Sequence, residues 1–256
     1  MDKKKSKNEG GFSSRLSNLH FQYEFSQPSI YFVILMCANF KPITHLQILV
    51  LDLPPIPFVY EAEVFPSFLT PLLFKSTLGL EWRMVNFGLI PKWADDKDIA
   101  KHTYNARNET IMQKPSFSEA FNKCQFGVVA VTEFYESKYV NGRPQRWGVK
   151  RKDGKAFYLA ALYEITRLAS GEVIRSATLI SMDAHKHEMM REFHEPRTDK
   201  RSVVVIPHSR LEKWLMLKQP DISPFIEGFP VEEFECFYCP KQRNNKNSPQ
   251  IEIFDE

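Results

Sequence analysis

Long apolar runs are missing from this chain of 256 residues. A helix that crosses a bilayer needs about 20 apolar residues, and IYFVILM ends at Met36 after seven. That run also lies too far from Met1 to act as a secretory signal. Cysteine is scarce, with four residues at positions 37, 124, 236 and 239. With no export signal, these thiols are expected to be reduced rather than joined in a disulfide framework. A dominant charge is missing too: 34 Lys and Arg against 31 Asp and Glu leave a formal +3. That balance permits nucleic-acid binding without arguing for it. No internal repeat is present. A hydrophobic fraction of 43% is enough for a proper core, so the expectation is a globular cytoplasmic protein.

The texture of the chain changes near Met36. Residues 1 to about 29 are polar, lysine-rich at the front, and show no sustained period of 2 or 3.6. They read as a poorly ordered leader, which divides the chain into a leader (1–35), a main domain (36–225) and a C-terminal extension with a polar tail (226–256). Within the domain, strands are predicted at 82–90, 125–136, 145–151, 156–164, 175–182 and 201–207. The pair Asn141-Gly142 tolerates positive φ at both positions and makes 125–151 a β-hairpin. Helices are predicted at 115–124, behind a serine cap, and at 184–194 and 209–217. The fold class is α+β, with one domain whose sheet is largely antiparallel.

Met36-Cys37 has the form of a protein start. Aminopeptidase removal of a methionine there would leave Cys37 with a free α-amine beside its thiol. An α-amine has a pKa of about 7.7–8.0, so part of it is neutral near physiological pH and attacks an aldehyde to form an imine. The thiol, near pKa 8.5, then adds to that imine and closes a thiazolidine ring. An internal cysteine has only an amide nitrogen and cannot do this. The plainer reading of Cys37 is a buried strand thiol.

Other stretches carry polar groups of possible use. YNARNETI (104–111) suits a loop in which Asn105 orients a carbonyl and Arg107 forks onto a phosphate, or else a capped turn before a helix. In TEFYES, Glu136 follows aromatics at the end of an apolar strand, where a carboxyl can give and take a proton; a solvated glutamate is the commoner case. His194 closes the segment AHKHEMMREFH before a proline, as an acid or base facing a cleft or as a solvated imidazole. His187 opens HEMMR, which has Arg191 where a zinc protease needs its second histidine, so that reading fails. Cys236 and Cys239 form a single C-x-x-C pair, half a zinc site at most, and read as packing.

The order of these features (Met36-Cys37, FGLIPKW, NARNET, FYE, then His194 before a charged turn and an apolar strand) resembles the SRAP family, the SOS-response-associated peptidases that process abasic sites in DNA. The resemblance runs from Met36 to about residue 225. It implies a β-rich, barrel-like α+β core with a few flanking helices and a basic cleft for single-stranded DNA. It further implies capture of the abasic aldehyde by an N-terminal cysteine as a thiazolidine crosslink, with peptidase and lyase-like activity from the same site.

On that resemblance Cys37 is the nucleophile, Asn105 positions amine and sugar, Glu136 shuttles protons and His194 assists sugar opening. Arg107 holds the flanking phosphate and Trp93 is a wedge on which a base stacks. Asn39 stands where the family opening usually has arginine, and Lys200 and Arg201 follow His194 in place of the usual Arg-Met-Pro run. Single-stranded DNA is the implied partner of a monomer that joins the nucleoid when DNA is damaged, and no metal or organic cofactor is implied. Capture requires a free amine at Cys37, from a start at Met36 or from self-cleavage. The competing readings are a thiol peptidase acting on other proteins and a noncovalent single-strand-binding module.

Overall fold

In a computed structural model of the chain, residues 39–240 are described. Cys37 and the leader lie outside the described residues. Among the described residues the strands are β1 (Asn39–Pro42), β2 (Leu69–Ser76), β3 (Gly79–Phe87), β4 (Asn105–Arg107), β5 (Phe126–Val140), β6 (Arg143–Arg151), β7 (Phe157–Arg167), β8 (Val173–Asp183), β9 (Arg201–Val203), β10 (Val205–Ile206) and β11 (Phe234–Tyr238). The helices are short: α1 (His45–Ile48), α2 (Ser118–Asn122) and α3 (Leu211–Leu215), with several 3-10 turns. No helix among them is long and apolar enough to cross a membrane.

The sheet closes on itself. β7, β8, β3, β2 and β5 pair in that order, and β5 pairs back to β7, which makes a five-stranded barrel. It is antiparallel except at β3 and β8, where Asn86 and Phe87 run parallel to Ser176 and Ala177. Alternation along the strands sorts the apolar residues into two clusters. Leu72, Val85, Phe87, Val129, Val131, Leu159, Ala161, Ala177 and Leu179 share one. The opposite parity, Leu73, Trp82, Val128, Ala130, Tyr158, Ala160, Leu162 and Ile180, packs with Phe121 of α2 and with Leu211, Trp214 and Leu215 of α3. Helices therefore cover the outer wall, and the first cluster fills the barrel. Trp214 is fully buried and its Nε1 donates to the Gly127 carbonyl at 2.9 Å, so its polar edge is satisfied.

The hairpin is as predicted. Val140 faces Arg143 across a two-residue turn, with φ of 50° at Asn141 and 73° at Gly142. Three expectations are corrected. Residues 184–194 are turns with a 3-10 segment at Met190–Glu192, not a helix. There the His187 Nδ1 accepts from the Met189 and Met190 N–H groups, which competes with helical bonding. The NAR stretch is a strand rather than a loop, because its backbone pairs with β8 whatever its side chains are. Finally, α2 begins at Ser118 behind Phe117, with no side-chain cap. Part of the segment after residue 226 joins the sheet, since β11 pairs with β6 over Phe234–Tyr238.

Candidate active site

Barrel strands β5 and β8 end on the same side, and the titratable side chains named from the sequence gather there. Glu136 follows Phe134 on one face of β5 and is 3% exposed. Beside it the chain returns after Phe193, whose ring is buried with the barrel cluster. The His194 N–H donates to the Ser137 carbonyl at 2.7 Å, and the backbone there has φ of 63°. Such a conformation in a residue other than glycine costs about 1–2 kcal/mol, so the surroundings must impose it. Lys200 does so: its Nζ donates to the carbonyls of Phe193 at 2.7 Å, His194 at 3.3 Å and Glu195 at 3.2 Å.

The result is a buried pair. His194 is 4% exposed, and its Nδ1 lies 3.7 Å from Glu136 Oε2. Its Nε2 lies 2.9 Å from the Arg201 carbonyl, which can only accept, so Nε2 carries a proton and Nδ1 faces the carboxyl. Burial pushes the His194 pKa below its ordinary value, and the Lys200 and Arg201 charges push the same way. His194 thus sits in a buried turn bridged to the end of β5 and not at a solvated helix end. Packing of Phe193 and the Lys200 cage explain the difference.

Arg201 is 5% exposed. Its guanidinium grips Glu109 with two bonds, at 2.8 and 2.9 Å, and Ser181 Oγ at 3.2 Å. Burial, the largest single influence, would raise the Glu109 carboxyl, but the Arg201 hydrogen bonds and charge, together with backbone N–H bonds from Glu109 and Asp183, hold the pKa below the usual range. Lys200 and Arg201 therefore organise the His194 turn and are not offered as surface cations. Asn39 opens β1 opposite Tyr135, and its Nδ2 donates to Glu63 Oε1.

Asn105 is buried on β4 opposite Leu179, and Arg107 lies opposite Ser181, the residue that Arg201 touches. Arg107 is half-exposed and paired with Asp199 at 2.9 Å. Trp93 is 56% exposed, its Nε1 donating to the Pro115 carbonyl at 3.3 Å. Sequence reasoning missed Glu109 as the partner of Arg201, and Glu63 altogether; no local pattern marks either.

The C-x-x-C pair is not a joint site. Three positions apart on an extended chain, the two side chains leave on opposite faces. Cys236 packs on the barrel cluster, whereas Cys239 lies against Arg146. Among the described residues no group of three or more His, Cys, Asp or Glu is placed to hold a metal.

The fold agrees with the comparisons. The family model described as SOS response associated peptidase (SRAP) matches residues 39–246. The chain belongs to the SRAP family. Among curated relatives of this SRAP chain, the abasic site processing protein YoqW of Bacillus subtilis (strain 168) is 27% identical over 177 residues, which covers 65% of this chain and 74% of the relative. The abasic site processing protein HMCES of Pongo abelii is 26% identical over 132 residues, 40% of this chain and 37% of the relative. A crystal structure of a protein from Bordetella bronchiseptica superposes with a TM-score of 0.74 at 22% identity, covering 80% of this chain and all of that one. A second, from Bacteroides thetaiotaomicron, gives 0.65 at 22%, over 81% of this chain and 93% of that one. At such identities the two structures speak for the fold alone.

Proposed function

We propose that this SRAP chain processes abasic sites in single-stranded DNA, and that Cys37 captures the ring-opened sugar. The observation that carries the reading is the buried Glu136 and His194 pair next to the start of β1. Asn39 faces Tyr135, the residue before Glu136, and Cys37 precedes Asn39 by two residues. Covalent geometry alone keeps the two Cα atoms within about 7 Å.

The chemistry assigns each group a task. Sugar opening moves a proton from the C1 hydroxyl to the ring oxygen, a transfer suited to a carboxyl and an imidazole 3.7 Å apart. The Cys37 amine then adds to the aldehyde, and water leaves as the imine forms. The thiol adds to the imine carbon, its proton passes to nitrogen, and the ring closes with no net redox change. His194 enters with Nδ1 unprotonated, since burial opposes its charge; it takes the hydroxyl proton there and passes it to the Glu136 carboxylate, which delivers it to the ring oxygen. Asn105 holds the sugar, the exposed Arg107 meets a phosphate and the exposed Trp93 stacks on a base. All of this needs a free α-amine at Cys37.

The test is an intact mass of protein made with its own upstream DNA, followed by incubation with a single-stranded oligonucleotide that carries one abasic site. A chain starting at Cys37 is expected to give a crosslink that survives denaturation. Acetylation of the amine abolishes it, and Cys37→Ser leaves only an imine that borohydride traps. A crosslink unaffected by acetylation, or none from the Cys37-start chain, overturns the reading.

A further inference from the structure

On the face of β5 opposite Glu136, two long side chains meet across β1. Arg146, on β6, faces Ser137 in register. Glu63 comes from the other side, one residue before Val64, which bridges Phe40 on the free edge of β1. The Arg146 guanidinium lies across the Tyr135 ring, Cζ 3.4 Å from its centroid, and Nη2 donates to Glu63 Oε1 at 2.5 Å. Asn39 Nδ2 donates to that same oxygen. Nη1 donates to the Cys239 carbonyl at 3.2 Å and to its sulfur at 3.1 Å, and the Cys239 N–H returns a bond to the Arg146 carbonyl at 3.0 Å. One guanidinium thus ties β11, β6, β5 and β1 together.

Both partners are partly dehydrated, with side chains 16% and 30% exposed, so salt screens the pair less than it would a surface ion pair. The strand it crosses needs support. β1 has four residues, and its register breaks between Lys41 and Pro42. So short a strand has few ladder hydrogen bonds with which to hold its own end. We propose that Arg146, with Glu63, is a positioning residue: the two form a strap that fixes Asn39 opposite Tyr135, the point from which the chain leads back to Cys37. The consequence for capture rests on the function proposed above; the strap itself does not. A phosphate contact is the alternative role, but the Nη1 and Nη2 groups of the guanidinium are already engaged and the Glu63 carboxylate beside it repels an anion.

The test uses the full Cys37-start chain, an abasic single-stranded oligonucleotide, and the variants R146M, E63A and E63Q. Single-turnover capture gives a maximal rate and a half-saturating DNA concentration, and amide exchange is followed at residues 39–41. R146M and E63A are expected to lower the maximal rate about tenfold or more, because a misplaced nucleophile loses rate rather than affinity. Half-saturation stays within about twofold, and E63Q, which keeps the acceptor oxygen, stays within about threefold of the parent rate. Amides 39–41 exchange faster in R146M and E63A while those of β7 do not change. Parent-like rates in both variants overturn the strap. So does a loss confined to half-saturation with a shallower salt dependence, which makes Arg146 a phosphate contact. If the parent chain captures nothing, the function falls; the exchange measurement still decides the strap, and unchanged amides at 39–41 refute it.

Discussion

Replacing His194 by alanine and by glycine separates its chemistry from its backbone. Both variants remove the imidazole, and both leave the Arg201 carbonyl without the 2.9 Å bond it accepts from Nε2. An unsatisfied buried acceptor costs about 1–3 kcal/mol, and this cost is common to the two. They differ at φ of 63°, where alanine bears a penalty of about 1–2 kcal/mol that glycine escapes. Glycine gives back about 0.4–1 kcal/mol through the entropy of its unfolded chain. H194G should therefore be more stable than H194A by roughly 0.5–1 kcal/mol, although it lacks the Cβ that alanine keeps. Urea denaturation read by tryptophan fluorescence resolves that difference. In single-turnover capture of an abasic oligonucleotide, both variants should be slower by about 10²–10⁴, the usual worth of a general acid or base. Equal stability, or H194A the more stable, refutes the strain argument. Capture at the parent rate by either variant refutes the proton-transfer role.

Three further outcomes are expected. Burial holds the pKa of both His187 and His194 below the ordinary 6.5, so the unfolded chain binds more protons than the folded one below that pH. Stability should then be lost as pH falls from about 6.5, before the carboxylates titrate near 4, and a urea midpoint that is flat from about pH 7 to 5.5 contradicts it. Glu109→Gln weakens the grip on the buried Arg201; with the Glu109 side chain 41% exposed, water replaces part of the loss, and denaturation should show about 1–2 kcal/mol, with no change counting against the pair. A methyl at Gly88 would stand 2.2 Å from the Ala100 carbonyl oxygen at φ of 120°, while one at Gly142 meets open space at 73°. G88A should lose about 3 kcal/mol or more and G142A about 1; similar losses would mean that the backbone around Gly88 yields.

Some of this molecule was legible in its residues because the cause was local. Apolar runs of strand length bounded by turn residues identified β5 and β7 at 125–136 and 156–164, and both strands are buried on their two faces along those runs. Asn141-Gly142 specified the hairpin, because few other pairs accept positive φ twice. The β2 strand was not found, since its apolar run LLF is only three residues long and follows a proline, which argues against a strand. The 184–194 segment misled for a related reason. Its Met189, Met190 and Phe193 have near-helical spacing, but the His187 ring takes the amides a helix would use.

The sequence by itself pointed to the proposed reactive unit, because the chemistry of an N-terminal aminothiol depends on adjacent atoms and not on a fold. It also determined the family, through motifs whose order survives at low identity. Only the tertiary structure decided what surrounds that unit. Residues 58 positions apart make the Glu136 and His194 pair, and a guanidinium from β6 meets a glutamate 83 positions earlier. Lys200 and Arg201, which as sequence look like surface cations, turn inward because the carbonyls of a left-handed turn and the Glu109 carboxylate are there to receive them. Contacts of that kind arise where the fold brings distant segments of the chain against the barrel strands, and no local period encodes them.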